Sequence, residues 1–282
     1  MSSYDLRGRK VVIATMHKKE QVIAPVLERE LGLEPISLTD FDTDKFGTFS
    51  GEIERTKDPL ETARMKCRAA GEHYGCSLAV ASEGSFGPHP SMFFAPADDE
   101  FILLLDLEHR LEFKARVLST ETNFGGALHS SWREVEKFAR TALFPSHGLI
   151  LRDAQNSTEA LVKGIDTWEQ LEKETENMLV KYGQVFVETD MRAMFNPTRM
   201  KIIEQATFKL VESIKRTCPK CQVPGFDVTS ARPGLPCEMC GAPTRSTQAH
   251  IISCQRCSYY EIKEYPHNKM HESAMYCDWC NP

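Results

Sequence analysis

Eight of the ten cysteines in this 282-residue chain lie beyond Thr217, and all eight come as Cys-x-x-Cys pairs. The pairs are Cys218/Cys221, Cys237/Cys240, Cys254/Cys257 and Cys277/Cys280. Each pair is a tight turn presenting two thiols together, and two such turns complete a tetrahedral four-thiolate site. The N-terminus, Met1 to Lys10, has no apolar signal-peptide core, so a cytoplasmic address is expected, where such thiols bind metal instead of forming disulfides. Two structural Zn²⁺ ions are therefore expected, since four thiolates leave no open coordination position for catalysis. Fifteen residues separate the first two pairs and nineteen the last two, and sequential pairing is preferred on that spacing. A cross-brace, first pair with third and second with fourth, is the alternative.

Charge restricts what this tail can do. Beyond Thr217, Lys220, Arg232, Arg245, Arg256, Lys263 and Lys269 face Asp227, Glu238, Glu261, Glu264, Glu272 and Asp278. That balance is neutral, which argues against nucleic acid and for a stabilising appendage or a homodimer contact. The whole chain carries −6, and no apolar run approaches the length of a membrane span. Three segments are expected: a body over residues 1–195, a connecting helix over 196–216 and a zinc-binding domain over 217–282.

The body alternates strand and helix patterns. Lys10–Thr15 is β-branched and reads as a first strand, followed by helical periodicity over Lys18–Leu31 with Pro25 inside it. Leu33–Leu38 is a weaker strand, and Thr39–Lys57 a long polar loop. Asp58-Pro59-Leu60-Glu61 starts a helix to about Tyr74. Leu78–Ser82 reads as a short buried strand ending at Glu83, because the glycines and prolines of Gly84–Pro90 oppose its continuation. Phe101–Leu105, Phe113–Leu118, Gly148–Leu151 and Gln184–Val187 are further strands. Ser131 and Thr167 cap helices, and Asn196-Pro197 opens another. The class is α/β, a mixed or mostly parallel sheet flanked by helices, with a zinc-ribbon-like appendage.

Several predicted strand ends carry polar side chains: Thr15 to Lys19, Glu83, Thr120 to Asn123, and Glu188 to Arg192. Glu61 and Lys66 lie on the Asp58–Tyr74 helix. Carboxylates beside cations suit a magnesium–phosphate reaction, in which hard oxygen ligands hold the ion and cations take up phosphate charge. The competing reading is solvated loop ends and a charged helix face.

The order of these motifs resembles the inosine-triphosphate pyrophosphatase-like family. Ala14-Thr15-Met16-His17-Lys18-Lys19 is similar to its phosphate loop, Glu61-Thr62-Ala63-Arg64-Met65-Lys66 to its helix pattern, and Glu83-Gly84-Ser85 to its acidic loop. Arg192 stands where that family closes on an arginine. The resemblance, confined to Arg9–Arg192, implies catalytic Mg²⁺ held by Glu61 and Glu83, with Asp190 joining. It also implies phosphate contacts from Thr15, Lys18, Lys19, Lys66 and Arg192, to which Arg199 adds from the first turn of the Asn196 helix.

The whole chain also resembles an uncharacterised bacterial family of unknown function, through Glu188–Ala193, Asn196–Met200, the cysteine pairs and the closing Cys-Asn-Pro. The expected function is metal-dependent hydrolysis of a nucleotide or related phosphorylated small molecule. The alternative is a non-catalytic ligand-binding or scaffold protein that uses its zinc tail for contacts.

Overall fold

A computed structural model describes residues 4–38 and 58–282; the polar loop expected at 39–57 lies outside them. The chain divides into two compact units. One is Leu6–Val211, and the other is Glu212–Pro282 with Tyr4 and Asp5.

The described residues of the larger unit form two sheets. The first contains β1 (Lys10–Ile13), β2 (Glu34–Ser37), β3 (Leu78–Pro88), β4 (Pro96–Asp106) and β5 (Leu111–Ser119), in the order β2-β1-β3-β4-β5. β1 pairs in parallel with β2 and β3, whereas the β3–β4 and β4–β5 ladders are antiparallel. The sheet is mixed. Helix α1 (Glu20–Leu31) joins β1 to β2 and tolerates Pro25, while α2 (Pro59–Tyr74) precedes β3. The Asp58 carboxylate accepts from the amides of Leu60 and Glu61, so the N-cap read from sequence is made.

α2 packs Ala63, Cys67 and Ala70 on Ala79, Ala81 and Leu103 of the sheet. Small residues on both surfaces let helix and sheet approach closely, and each fully buried leucine adds about 1.5–3 kcal/mol. The Cys67 thiol is buried there and its pKa is pushed up by desolvation, so it behaves as a small apolar residue.

β3 does not end at Glu83. It continues through Gly84, Ser85, Phe86 and Gly87, because β4 pairs with it residue for residue as far as Pro88 opposite Pro96. The glycines weaken strand propensity, but an eleven-residue ladder overrides a local preference. β1 stops at Ile13, beside Val80, so Ser82 and Glu83 run past its end and look over the loop that leads into α1.

The second sheet is antiparallel throughout: β6 (Gly126–His129), β7 (Leu149–Arg152), β8 (Leu161–Ile165) and β9 (Val185–Thr189), ordered β6-β9-β7-β8. Helices α3 (Trp132–Thr141) and α4 (Trp168–Tyr182) cover it through Val135, Ala139, Leu171 and Met178. Ser131 and Thr167 cap them, each accepting from the amide three residues on. β6 and β8 escape a sequence reading because they are short and only half-buried. Helix α5 (Pro197–Lys215) follows, its N-terminus capped by the Asn196 side chain on the Arg199 amide.

The smaller unit is built on a three-stranded antiparallel sheet, β10 (Asp227–Pro233), β11 (Thr247–Ser253) and β12 (Tyr260–Glu264). One of its apolar clusters is built from Cys218, Phe226 and Cys254, and Val223, Leu235 and Ala249 are buried as well.

Candidate functional site

The turn from β1 into α1 is unusual backbone. His17 and Lys18 both have positive φ, 65° and 63°, a conformation side-chain-bearing residues rarely adopt and one that gathers at functional sites. Among the described residues nothing accepts a hydrogen bond from the amides of Met16, His17 or Lys18. Thr15 Oγ1 is buried with no partner. Lys19 is buried, and its Nζ donates to Ser82 O at 3.1 Å and Ser82 Oγ at 3.0 Å. It makes no ion pair with a described residue. Burial, then the neighbouring Arg199, lowers its pKa to about 8. His17 is driven down to about 4 by burial and then by Lys19, so it is neutral near pH 7.

Around this turn the predicted carboxylates are already engaged. Glu83 is buried, with Lys66 Nζ 2.6 Å from its Oε1. Asp190 is fully buried and clamped by Arg192, which donates its amide and Nε to Oδ1 at 3.0 Å each and Nη2 to Oδ2 at 2.5 Å. Glu61 points elsewhere: it pairs with Arg64 at 3.1 Å, and Arg64 in turn grips Glu112. Among the described residues no group of three potential metal ligands includes Glu61, Glu83 or Asp190. These three do not fit a common magnesium ion.

The cations divide similarly. Lys18 is exposed, while Lys19, Lys66 and Arg192 border the turn. Arg199 is fully buried and spent on structure. Its Nε donates to Glu100 Oε1 at 2.6 Å, its Nη1 donates to Met191 O, and its guanidinium lies 5.0 Å from the Phe86 ring centre. Arg199 thereby ties α5 to β4 and to the loop after β9. Gly84 makes room for it, since a Cβ there would sit 2.2 Å from Glu100 Oε1.

Glu100 and Asp98 are acids that sequence reasoning passed over. Asp98 is 0% exposed, with neither oxygen hydrogen-bonded in ionised form. Burial, then the charge of Glu100, raises its pKa to about 8, so it holds a proton near neutrality. The signal was present: acids at 98 and 100 alternate on one face just before the apolar run of β4.

Beside this cluster lies a 480 Å³ cavity lined by Phe86, Phe124, Ile150, Arg152, Glu188 and Arg192, among others. Phe86 and Phe124 stand 5.7 Å apart, and Arg152 donates to Glu188 at 2.7 Å. The lining combines apolar rings with charged side chains.

In the smaller unit the cysteines gather into two four-thiol clusters, Cys218/Cys221/Cys254/Cys257 and Cys237/Cys240/Cys277/Cys280. The first pair joins the third and the second joins the fourth, so the preferred sequential pairing is corrected to the cross-brace. The reason is sheet geometry: β10 and β11 carry the chain away from each pair before it returns to close the cluster. The Sγ–Sγ contacts are 3.5, 3.6, 3.7 and 3.9 Å. That is far from a disulfide at about 2.05 Å, and it matches the about 3.8 Å edge of a tetrahedron with ~2.3 Å zinc–sulfur arms. The turns themselves repeat. The amides of Cys218, Cys237 and Cys254 donate to the carbonyl five residues on, and Gln222, Gly241 and Ser258, just after each pair, have positive φ. Each cluster could hold a zinc ion.

The fold and its sites define an α/β protein with an appended pair of cross-braced four-cysteine centres. Residues 66–282 match the family described as Domain of unknown function (DUF6671), and the chain belongs to it. No curated protein matches the chain. Among the described residues no helix is long and apolar enough to cross a membrane.

Proposed function

We propose that the β1–α1 turn binds the phosphate of a small phosphorylated molecule, a nucleotide or a relative of one, and that the protein hydrolyses it. The observation that carries this reading is Lys19, a buried ammonium resting on neutral acceptors only. Beside it are an unpartnered Thr15 hydroxyl and three amides without acceptors. An anion would supply the missing counter-charge and accept from these donors. The organic part of the ligand would occupy the 480 Å³ cavity, which shares Arg192 with the cluster around the turn.

In the hydrolytic step Glu83, held in place by the Lys66 ammonium 2.6 Å away, would take a proton from the attacking water. The water oxygen bonds to phosphorus, the bridging P–O bond breaks, and Lys19 takes up charge on the phosphoryl group. The four-cysteine clusters would hold structural Zn²⁺. A panel of nucleoside triphosphates and diphosphates and sugar phosphates, assayed for phosphate and pyrophosphate release with and without Mg²⁺, tests the reading. At least one member should be hydrolysed, and Glu83→Gln should lower the rate about 10²–10⁴-fold in protein that keeps the folded circular dichroism spectrum. Full activity in that variant would sink the assignment.

One observation favours the non-catalytic alternative: Glu61, Glu83 and Asp190 are each neutralised by a cation. Tight binding without turnover, insensitive to Glu83→Gln, is its outcome.

A further inference from the structure

The two four-cysteine clusters share a donor set, yet their surroundings differ. In the first, Cys218 and Cys254 are buried and Cys221 and Cys257 half-buried; in the second, Cys237 and Cys277 are buried but Cys240 and Cys280 are exposed. The first cluster is covered. Phe226 and Tyr259 stack there at 5.8 Å, and with Ile252 they pack against its cysteines. Around the second, side chains next to the ligands stand out in water: Met239 is 76%, Tyr276 63% and Trp279 79% exposed.

Charge differs as well. The Cys-x-x-Cys turns of the first cluster carry Lys220 and Arg256, whereas those of the second carry Glu238 and Asp278. Arg245 is taken up by Asp278 at 3.0 Å, and Lys269 by Glu272, which bridges to Cys237. A bound ion keeps all four sulfurs as thiolates, so local charge does not decide their ionisation. It tunes nucleophilicity instead, which falls as neighbouring cations stabilise the thiolate. By exposure and by charge alike, Cys240 and Cys280 are the more reactive ligands.

We infer that the second cluster is an oxidation site for hydroperoxides, where loss of two thiolates releases its Zn²⁺ while the first cluster keeps its own. The Cys240 sulfur attacks the peroxide: an S–O bond forms, the O–O bond breaks, and the far oxygen leaves and takes a proton from solvent. Cys277 Sγ, 3.6 Å from Cys240 Sγ, then attacks the sulfenic sulfur; the S–S bond forms, the S–O bond breaks, and the departing hydroxide is protonated. Two thiolates have given up two electrons, and the hydroperoxide has become water and an alcohol, or two waters. The two sulfurs left cannot complete a four-thiolate site. The inference rests on zinc occupying both clusters and is independent of the proposed hydrolysis.

Metal analysis of the purified full chain should first find two zinc ions. Excess hydrogen peroxide is then added beside a chromogenic chelator, and zinc release is followed with time. One ion per chain should leave in a fast phase and the other roughly tenfold more slowly, or not at all. Peptide mass spectrometry should place the early disulfide among the cysteines of the second cluster, and the chelator without peroxide should show no fast phase. A dithiol reductant with added zinc should restore both ions. Cys237→Ser with Cys240→Ser removes the second cluster and should abolish the fast phase; Cys218→Ser with Cys221→Ser removes the first and should keep it. Release of both ions in one phase, an early disulfide in the first cluster, equal release without peroxide, or thiols that stay reduced overturns the inference. A chain that holds no zinc overturns it together with the zinc reading of the clusters.

Discussion

At the residue scale, the larger unit is organised around two cations with opposite roles. Arg199 is consumed by Glu100, Met191 and Phe86, whereas Lys19 has only neutral acceptors. Removing Arg199 leaves Glu100 buried beside Asp98 without compensation. Arg199→Met should therefore cost about 3–5 kcal/mol in urea unfolding. Gly84→Ala should destabilise in the same direction, because its Cβ would displace the Arg199–Glu100 pair. An unchanged urea midpoint in Gly84→Ala would contradict that close approach.

Lys19 gives a pH signature. Its folded pKa, about 8, lies below the usual 10.5, so on raising the pH the folded chain loses this proton before the unfolded one. Below about pH 8 both states are charged and burial of the ammonium counts against folding; that cost is relieved, and stability rises, from about pH 8 towards 10.5. Anion binding runs the other way. Sulfate, whose own charge is constant over this range, should bind about tenfold more weakly per unit above pH 8. In Lys19→Arg the decline should vanish, because guanidinium stays charged. Calorimetric titration at pH 7 and 9.5 compares the two chains.

At the scale of elements, the cross-brace makes a prediction that sequential pairing cannot share. Cys218→Ser with Cys257→Ser strikes one cluster twice and should leave one zinc per chain. Cys218→Ser with Cys237→Ser strikes both clusters and should leave none, by metal analysis of purified protein. If both double variants retain the same zinc content, the clusters are not arranged as described. The β3–β4 ladder shows the same principle in the other unit: pairing with a long neighbour carries the strand through Gly84 and Gly87, where local propensity alone would stop it.

At the scale of the molecule, the two units draw on different sources of stability. The larger has packed cores under α2 and under α3 with α4, while the smaller buries a shorter set of apolar residues, among them Val223, Phe226, Leu235 and Ala249, together with thiols of both cysteine clusters. Zinc held in its two thiol clusters would add on the order of 10 kcal/mol per ion to its folding energy. Scanning calorimetry with excess chelator should abolish the smaller unit's transition and leave that of Leu6–Val211 within a few degrees. Loss of both transitions together would mean that the units do not fold independently.

Sequence alone determined whatever depends on spacing or on local backbone chemistry. The four cysteine pairs announced metal centres, Asp58, Ser131, Thr167 and Asn196 marked helix starts, and the alternation of strand and helix marked the class. It also pointed to Thr15, Lys19, Lys66, Glu83 and Arg192, whose positions border one turn. Only the tertiary structure decided which thiols share a cluster, because two knuckles with the same Cys-x-x-Cys spacing are interchangeable until a sheet fixes which of them meet. It likewise decided that Glu61 faces Arg64 and that Arg199 is buried on Glu100, since a side chain's partner across 99 residues leaves no trace in its neighbours along the chain. Asp98 escaped for the same reason: its proton is retained through burial, and burial is a property of the packed molecule.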